Sequence, residues 1–395
     1  MTDGRVLIVD DRPERAAELF AALADVGFTI DVQNEVQDLE GTLGPQSPWD
    51  CIICTVDLMN VSWASVRRAM RAFDVQVPVI TFSDERDLDS MSTALGLGAA
   101  DFFVKPTEKP GLLRRSVERC VYHRQLQREL KASKENLEQV NAELRHSLRI
   151  LEQDQQAGRQ VQRAMLPAGP LKVGGYWFSH KIFPSLYLSG DFTDYFRVGA
   201  DQVVFFLADV SGHGSSSAFA TVLLKNLFAR KRSAYLKQDD HDIVSPLQML
   251  KRANSELLEL AVNKYATMVV GVLDLQQQTL QYSVAGHLPQ PIMVTDTETY
   301  YLPGEGSPVG LLPEPRYEQH TIVLPERFIL SILSDGVLET MADINLIEKE
   351  KHLLASLTGP VAKPIELARR LGLEDLSRTD ITDDIAGLFI SRGLS

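Results

Sequence analysis

Between about residue 119 and residue 165 the chain has no proline and a single late glycine, Gly158, while Leu130, Leu137, Leu144 and Leu151 recur every seven residues. The other seam position carries Leu126, Ser133, Val140, Ser147 and Asp154. This heptad pattern predicts a helix with one good apolar seam position and one compromised one. It reads as a solvated single helix or, preferably, as a loose parallel dimeric coiled coil roughly 60–70 Å long at 1.5 Å per residue. The expected division is therefore a folded segment over 1–120, a helical linker over 121–166 and a second folded segment over 167–395.

The N-terminal segment alternates strand-like and helix-like runs. Strands are expected at Arg5–Val9, 51–56, 77–82 and Asp101–Val104, and helices at 13–24, around 65–73 and from near Gly111. Such alternation predicts a doubly wound, mostly parallel α/β sheet. Ligands of such sheets bind at the carboxyl ends of the strands. There stand Asp10 and Asp11, Asp57, Ser83, and Lys105 with Pro106. The carboxylates suit Mg²⁺, Asp57 suits nucleophilic attack on a phosphoryl group, and Ser83 and Lys105 suit binding of the acyl phosphate. Cys51 and Cys54 form a CxxC inside an apolar run. Residues three apart on a strand point to opposite faces, so the pair reads as packing rather than redox chemistry.

The chain carries a formal net charge of −13, which disfavours binding to nucleic-acid backbones. Three cysteines argue against a disulfide framework and for a reducing cytoplasm. The N-terminus lacks the pattern of a signal peptide, and no apolar run is long enough to span a membrane.

Beyond Pro167 the expected strands are 176–182, 202–208, 267–273, Thr279–Ala285, Phe328–Leu333 and 385–391, with helices at 216–229, 246–261 and within 343–376. That mixture predicts an α+β fold of packed antiparallel sheets flanked by helices. Acid clusters punctuate it: SGDFTD (Asp191, Asp194), ADVSGHG (Asp209), SDG (Asp335) and TDD (Asp383, Asp384). Glycines beside them let backbone and ions approach closely. An all-oxygen donor set suits Mg²⁺ or Mn²⁺, and a pair of such ions would activate a water for in-line attack on a phosphoester.

The five ordered elements of the N-terminal segment resemble the receiver domain of two-component response regulators. That resemblance implies Asp57 as phosphoacceptor and a Mg²⁺ bound by Asp11, Asp57 and the Met59 carbonyl, with Asp10 acting through water. Phe102 stands where the family has a switching aromatic. After Met59 the chain reads Asn60-Val-Ser-Trp63, which departs from the usual Met-Pro-Gly.

The C-terminal segment resembles the SpoIIE-type branch of metal-dependent type 2C (PPM) protein phosphatases. The resemblance rests on Gln162-Arg-Ala-Met-Leu-Pro167, SGDFTD, ADVSGHG, Asn254, Ala266-Thr-Met268, AGHLPQP, Pro308-Val-Gly-Leu311, SDGVLE and TDDIAGLFI. It implies two Mn²⁺ or Mg²⁺ bridged by Asp209 with the Val210 carbonyl alongside. Asp335 and Asp383 would complete one shell, and Asp191 would contact a water on a metal. Asp194 and Asp384 would support these acids from behind, His213 is a candidate general acid, and His287 is expected to order a loop.

The expected function is a response regulator whose output is Ser/Thr dephosphorylation of a phosphorylated anti-sigma-factor antagonist in a stress-response pathway. Its partners would be a sensor histidine kinase or small phosphodonor, the phosphoprotein substrate and a second copy of the chain. The alternative is an adaptor like the RssB-type regulators, which would bind the stationary-phase sigma factor and deliver it to the ClpXP protease without catalysis. Neither reading involves nucleic acid or membrane.

Overall fold

The computed structural model describes residues 4–34, 47–55, 77–96, 98–212, 214–259, 263–341, 345–359, 364–372 and 382–394. Two compact units divide the chain, residues 1–146 and 147–395. Among the described residues no helix is long and apolar enough to cross a membrane.

The first unit is built on β1 (Arg5–Val9), β2 (Thr29–Gln33), β3 (Cys51–Thr55), β4 (Val79–Ser83) and β5 (Asp101–Val104). All pairings are parallel, in the order β2-β1-β3-β4-β5. This is the doubly wound sheet expected from the alternation. The apolar runs of β1 and β3 are buried on both faces, as parallel strands require. The edge strand β2 escapes sequence reading for the converse reason: four of its five residues, Thr-Ile-Asp-Val-Gln, are exposed. Helices α1 (Pro13–Leu23) and α2 (Leu88–Gly96) belong to this unit. The helix expected at 65–73 lies outside the described residues, as do Asp57 and Met59.

Helix α3 (Pro110–Met165) runs unbroken through 56 residues, across the expected boundary at 120. Its start has a proline, which supplies a helical φ without losing a needed donor. Leu113, Val117, Cys120 and Val121 seal the first unit's core. Arg128 then reaches Asp50 at 2.6 Å and the Ser47 carbonyl at 2.6 Å. Farther along, Leu130, Leu137, Leu144 and Leu151 are exposed, each by more than half.

The second unit contains β6 (Leu171–Val173), β7 (Tyr176–Phe183), β8 (Asp191–Val198), β9 (Gln202–Val210), β10 (Ala266–Asp274), β11 (Thr279–Ala285), β12 (Ile292–Thr295), β13 (Thr299–Tyr301), β14 (His320–Val323), β15 (Phe328–Leu333) and β16 (Ile385–Arg392). They form two antiparallel sheets, ordered β14-β11-β10-β9-β8 and β13-β12-β15-β16-β7-β6. Alternation along β9 shows how they stack. Val203, Phe205 and Leu207 face Phe328, Leu330 and Ile332 of the other sheet. Val204, Phe206 and Ala208 face α4 (Ser215–Leu236) and α5 (Pro246–Glu259) on the outer side. The second sheet carries α6 (Gly336–Glu339), α7 (Leu346–Leu357) and α8 (Pro364–Arg370) on its own outer face. Both faces of β9 are thus buried, which is why VVFFLA reads as one apolar run. Each fully buried large side chain stabilises this core by roughly 1.5–3 kcal/mol.

Candidate active site

The alternation that builds the core also aims the acids. Asp209 has the parity of Phe205 and Leu207, so it points between the sheets near the end of β9. Asp191 opens β8 directly opposite it, and Thr267 of β10 lies opposite it on the other side. The second sheet contributes Ser334 and Asp335 just past β15, and Asp383 and Asp384 just before β16. Four separated motifs therefore share one rim of the sandwich.

Short hydrogen bonds tie that rim together. The Ser334 hydroxyl donates to Asp191 Oδ2 at 2.7 Å and accepts from the Ala386 amide at 2.7 Å. Asp384 accepts from the Gly190 amide at 2.6 Å and from the Ser185 amide at 2.7 Å, so it holds the loop that delivers Asp191. Two glycines make the closeness possible. A Cβ on Gly190 would lie 2.7 Å from the Val210 carbonyl oxygen, and one on Gly336 would lie 2.1 Å from that of Asp384. The glycines beside the acids thus serve backbone-to-backbone approach.

The electrostatics are those of uncompensated negative charge. Burial, then the charge of Asp209, pushes the Asp191 carboxyl well above the usual range. Asp209 is pushed up to about 7 by burial and then by Asp335, Asp383 and Asp384, against a smaller opposing hydrogen bond from Thr267. Asp335 is raised by burial, then by Asp383 and Glu339. Among the described residues no three His, Cys, Asp or Glu side chains close on a single point as a finished ligand set. Mutual repulsion opposes such closure, and hard divalent cations would relieve it. The oxygen-only donors and the unneutralised charge fit Mg²⁺ or Mn²⁺ held by Asp191, Asp209, Asp335 and Asp383.

Several supporting residues had no role assigned from the sequence, Thr267, Lys264 and Gln162 among them, whereas His287 was expected to order a loop. The Thr267 hydroxyl, which also bonds Asp209, meets His287 Nδ1 at 3.2 Å. His287 is 2% exposed, and burial lowers its pKa to about 4, so the ring is neutral. Lys264 Nζ binds the Ser211 carbonyl at 2.7 Å and Ser217 Oγ at 3.1 Å, pinning the turn after Asp209 to α4. Gln162, near the end of α3, binds the Ser189 carbonyl at 2.7 Å and accepts from the Ser189 amide at 3.1 Å. A cleft of about 340 Å³ beside it is lined by Arg159, Gln162, Arg163, Tyr187, Ser189 and Asp191.

One expectation changes, and one motif residue gains a role. Asp194 does not support the rim: three residues beyond Asp191, it faces the helices and pairs with Lys225 of α4. Asn254 holds the 310–312 loop, through the Gly310 amide at 2.7 Å and the Leu312 carbonyl at 3.0 Å. His213 lies outside the described residues.

In the first unit, Asp10, Ser83 and Lys105 stand at the carboxyl edge of the parallel sheet, but their partners differ from expectation. Asp10 is fully buried and accepts from Arg15 Nε at 2.6 Å and Nη2 at 2.7 Å, and from the Arg12 amide at 2.9 Å. Arg15 also reaches Asp84 at 2.7 Å and Asp11 at 3.4 Å. Lys105, in a left-handed backbone conformation, is paired with Glu108 at 3.4 Å instead of with the acids. Ser83 Oγ accepts from the Glu85 amide at 3.2 Å. Phe102 is half-buried on β5. With these side chains, Asp10 and Asp11 do not fit Mg²⁺, because a guanidinium holds the position.

Comparison with known proteins agrees with both halves. Residues 6–117 match the response regulator receiver domain and residues 199–393 match Stage II sporulation protein E (SpoIIE). Phosphoserine phosphatase RsbP of Bacillus subtilis is 28% identical over 167 residues, covering 41% of this chain and 39% of that protein. Protein IcfG of Synechocystis is 24% identical over 261 residues, covering 60% of this chain and 41% of that protein. The chain thus spans about two fifths of the length of these curated relatives. The SiaA-PP2C domain of Pseudomonas aeruginosa superposes with a TM-score of 0.47 at 19% identity, over 62% of this chain and 98% of that one. By the two family matches the chain carries a response-regulator receiver domain over residues 6–117 and a SpoIIE PP2C phosphatase domain over residues 199–393.

Proposed function

We propose that the second unit is a Mg²⁺- or Mn²⁺-dependent Ser/Thr protein phosphatase whose activity follows the state of the receiver. The observation that carries this reading is the cross-strand pair Asp191 and Asp209, joined at one rim by Asp335 and Asp383 and held there by Ser334 and Asp384. Divalent ions at that rim would supply Lewis acidity toward a phosphoryl group and activate a water for in-line attack. Asp191 and Asp209 would orient that chemistry, and Thr267 would fix Asp209 from behind.

Control would run through α3. Phosphorylation of Asp57 by a sensor kinase or small phosphodonor would shift the packing of its first turns. Gln162 would carry that shift to Ser189, two residues before Asp191. The exposed leucine seam would pair with a second copy, so that coil geometry sets the pose of α3 in both chains. The substrate on this reading is a phosphorylated anti-sigma-factor antagonist; the name phosphoserine phosphatase of the relative RsbP supports a phosphoserine as the group attacked. A noncatalytic adaptor that delivers a sigma factor to a protease has no need of four mutually repelling acids gathered at one rim.

The test is release of phosphate from a phosphoserine protein by the full chain with Mn²⁺, before and after treatment with acetyl phosphate. Turnover that depends on Mn²⁺ and is lost in Asp209→Ala supports the reading. No turnover in either receiver state, with sigma-factor degradation that survives loss of Asp191, Asp209 and Asp335, supports the adaptor instead.

A further inference from the structure

The receiver's acid pair already has its cation. Asp10 is 0% exposed, and both its carboxylate oxygens are taken by one side chain, Arg15, through Nε at 2.6 Å and Nη2 at 2.7 Å. This is the forked geometry in which guanidinium and carboxylate bind most strongly. The same guanidinium is anchored three further ways: to Asp84 at 2.7 Å, to Asp11 at 3.4 Å, and over the Phe82 ring at 5.1 Å. Its side chain is 13% exposed, so the charge is set into the site. Asp10 and the Arg15 helix lie past β1, whereas Asp84 follows β4, so the fork ties two strand ends together. Lys105, the cation expected at this edge, is turned to Glu108.

We infer that Arg15 is a built-in replacement for the divalent ion at Asp10 and Asp11, so that this receiver binds Mg²⁺ only by expelling its own guanidinium. Mg²⁺ takes near-octahedral oxygen ligation and keeps much of its water. Both Asp10 oxygens already accept from Arg15, and Asp11 offers one exposed carboxylate with the Arg15 guanidinium, a charge like the metal's, 3.4 Å away. Most of the charge is met without metal: Asp10, Asp11 and Asp84 face two guanidiniums, Arg15 and Arg12, the latter with Nη1 3.2 Å from Asp84. The clamp is also a latch. Whatever draws Arg15 away from Asp10 frees the β1 and β4 ends at once.

The inference is tested on the full chain by hydrogen–deuterium exchange, with peptides covering 5–23 and 79–96 followed through a MgCl₂ titration. Peptide resolution separates the receiver from the acids of the second unit. Arg15→Gln is expected to gain Mg²⁺-dependent protection in these peptides at concentrations about tenfold lower than the parent chain needs, as removal of an adjacent like charge should bring. Asp84→Asn, which loosens one anchor and leaves Arg15 in place, is expected to move the midpoint the same way by a smaller factor. A parent chain protected at the same Mg²⁺ concentration as both variants overturns the inference. So does an Arg15→Gln chain that folds yet gains no Mg²⁺ response.

Discussion

Two acid sites in this chain solve one electrostatic problem in opposite ways. At the receiver edge, Asp10 is buried yet neutralised from within by a forked arginine. At the sandwich rim, Asp191 is buried, Asp209 is half-buried and Asp335 is more open; all three are raised by desolvation and by neighbouring carboxylates, and the hydrogen bonds from Ser334 to Asp191 and from Thr267 to Asp209 carry no positive charge. Burying unpaired charge is costly. A fold keeps such a cluster where a cation arrives from outside, and the contrast identifies the rim, not the receiver edge, as the place where divalent ions matter most.

The contrast can be broken most decisively at Asp209. Asp209→Asn keeps shape and removes one charge of the pair; phosphatase turnover in saturating Mn²⁺ should fall at least about 100-fold, the scale of losing a positioned electrostatic partner. Unchanged turnover would remove the rim from the chemistry. Next is Thr267→Val, which takes away the hydroxyl behind Asp209. Calorimetry should show Mn²⁺ affinity weaker by about tenfold, with Thr267→Ser close to the parent; equal loss in both variants would make Thr267 a packing residue only.

Stability against pH sharpens the comparison further. The folded-state pKa of Asp209 is raised, from 3.8 to about 7, so the native state binds more protons than the unfolded state across that interval. Stability of metal-free protein should therefore fall as pH rises from about 4 to 7, by roughly 4 kcal/mol at about 1.4 kcal/mol per unit, and level off above. Urea unfolding of the second unit measures this, and Mn²⁺ should flatten the slope. A slope of the opposite sign would mean the rim charge is already compensated. The smallest effect on turnover belongs to Asp194→Asn, whose buried carboxylate pairs with Lys225 of α4; stability should fall by roughly 1–3 kcal/mol. Its turnover should match the parent, since it faces the other side of β8.

Much of this was legible in the residues, and the failures have physical causes. Strand-like runs with acids at their ends located Asp10, Ser83, Asp209 and Asp335, because parallel strands and sandwich strands are apolar on both faces until the rim. The strand β8 was not located, because it begins at Asp191 itself and its Asp-Phe-Thr-Asp-Tyr mixes acids with aromatics. The parity rule that separates Cys51 from Cys54 also separates Asp191 from Asp194, and it would have placed Asp194 among the helices had β8 been recognised. Arg15 carried one signal, its spacing of four from Asp11, which lies just ahead of α1. Nothing in the sequence shows its reach back to Asp10 or across to Asp84, since those contacts depend on the order of strands in the sheet. Ser334, Thr267 and Gln162 sat inside recognised motifs, yet their roles come from register between strands and helices far apart in the chain.

Crystals of the full chain equilibrated with Mn²⁺ and measured at the manganese absorption edge test the central contrast most directly. The account predicts anomalous peaks beside the Asp209 carboxylate and none between Asp10 and Asp11, where Arg15 remains in place. Peaks at the receiver edge with none at Asp209 would contradict it.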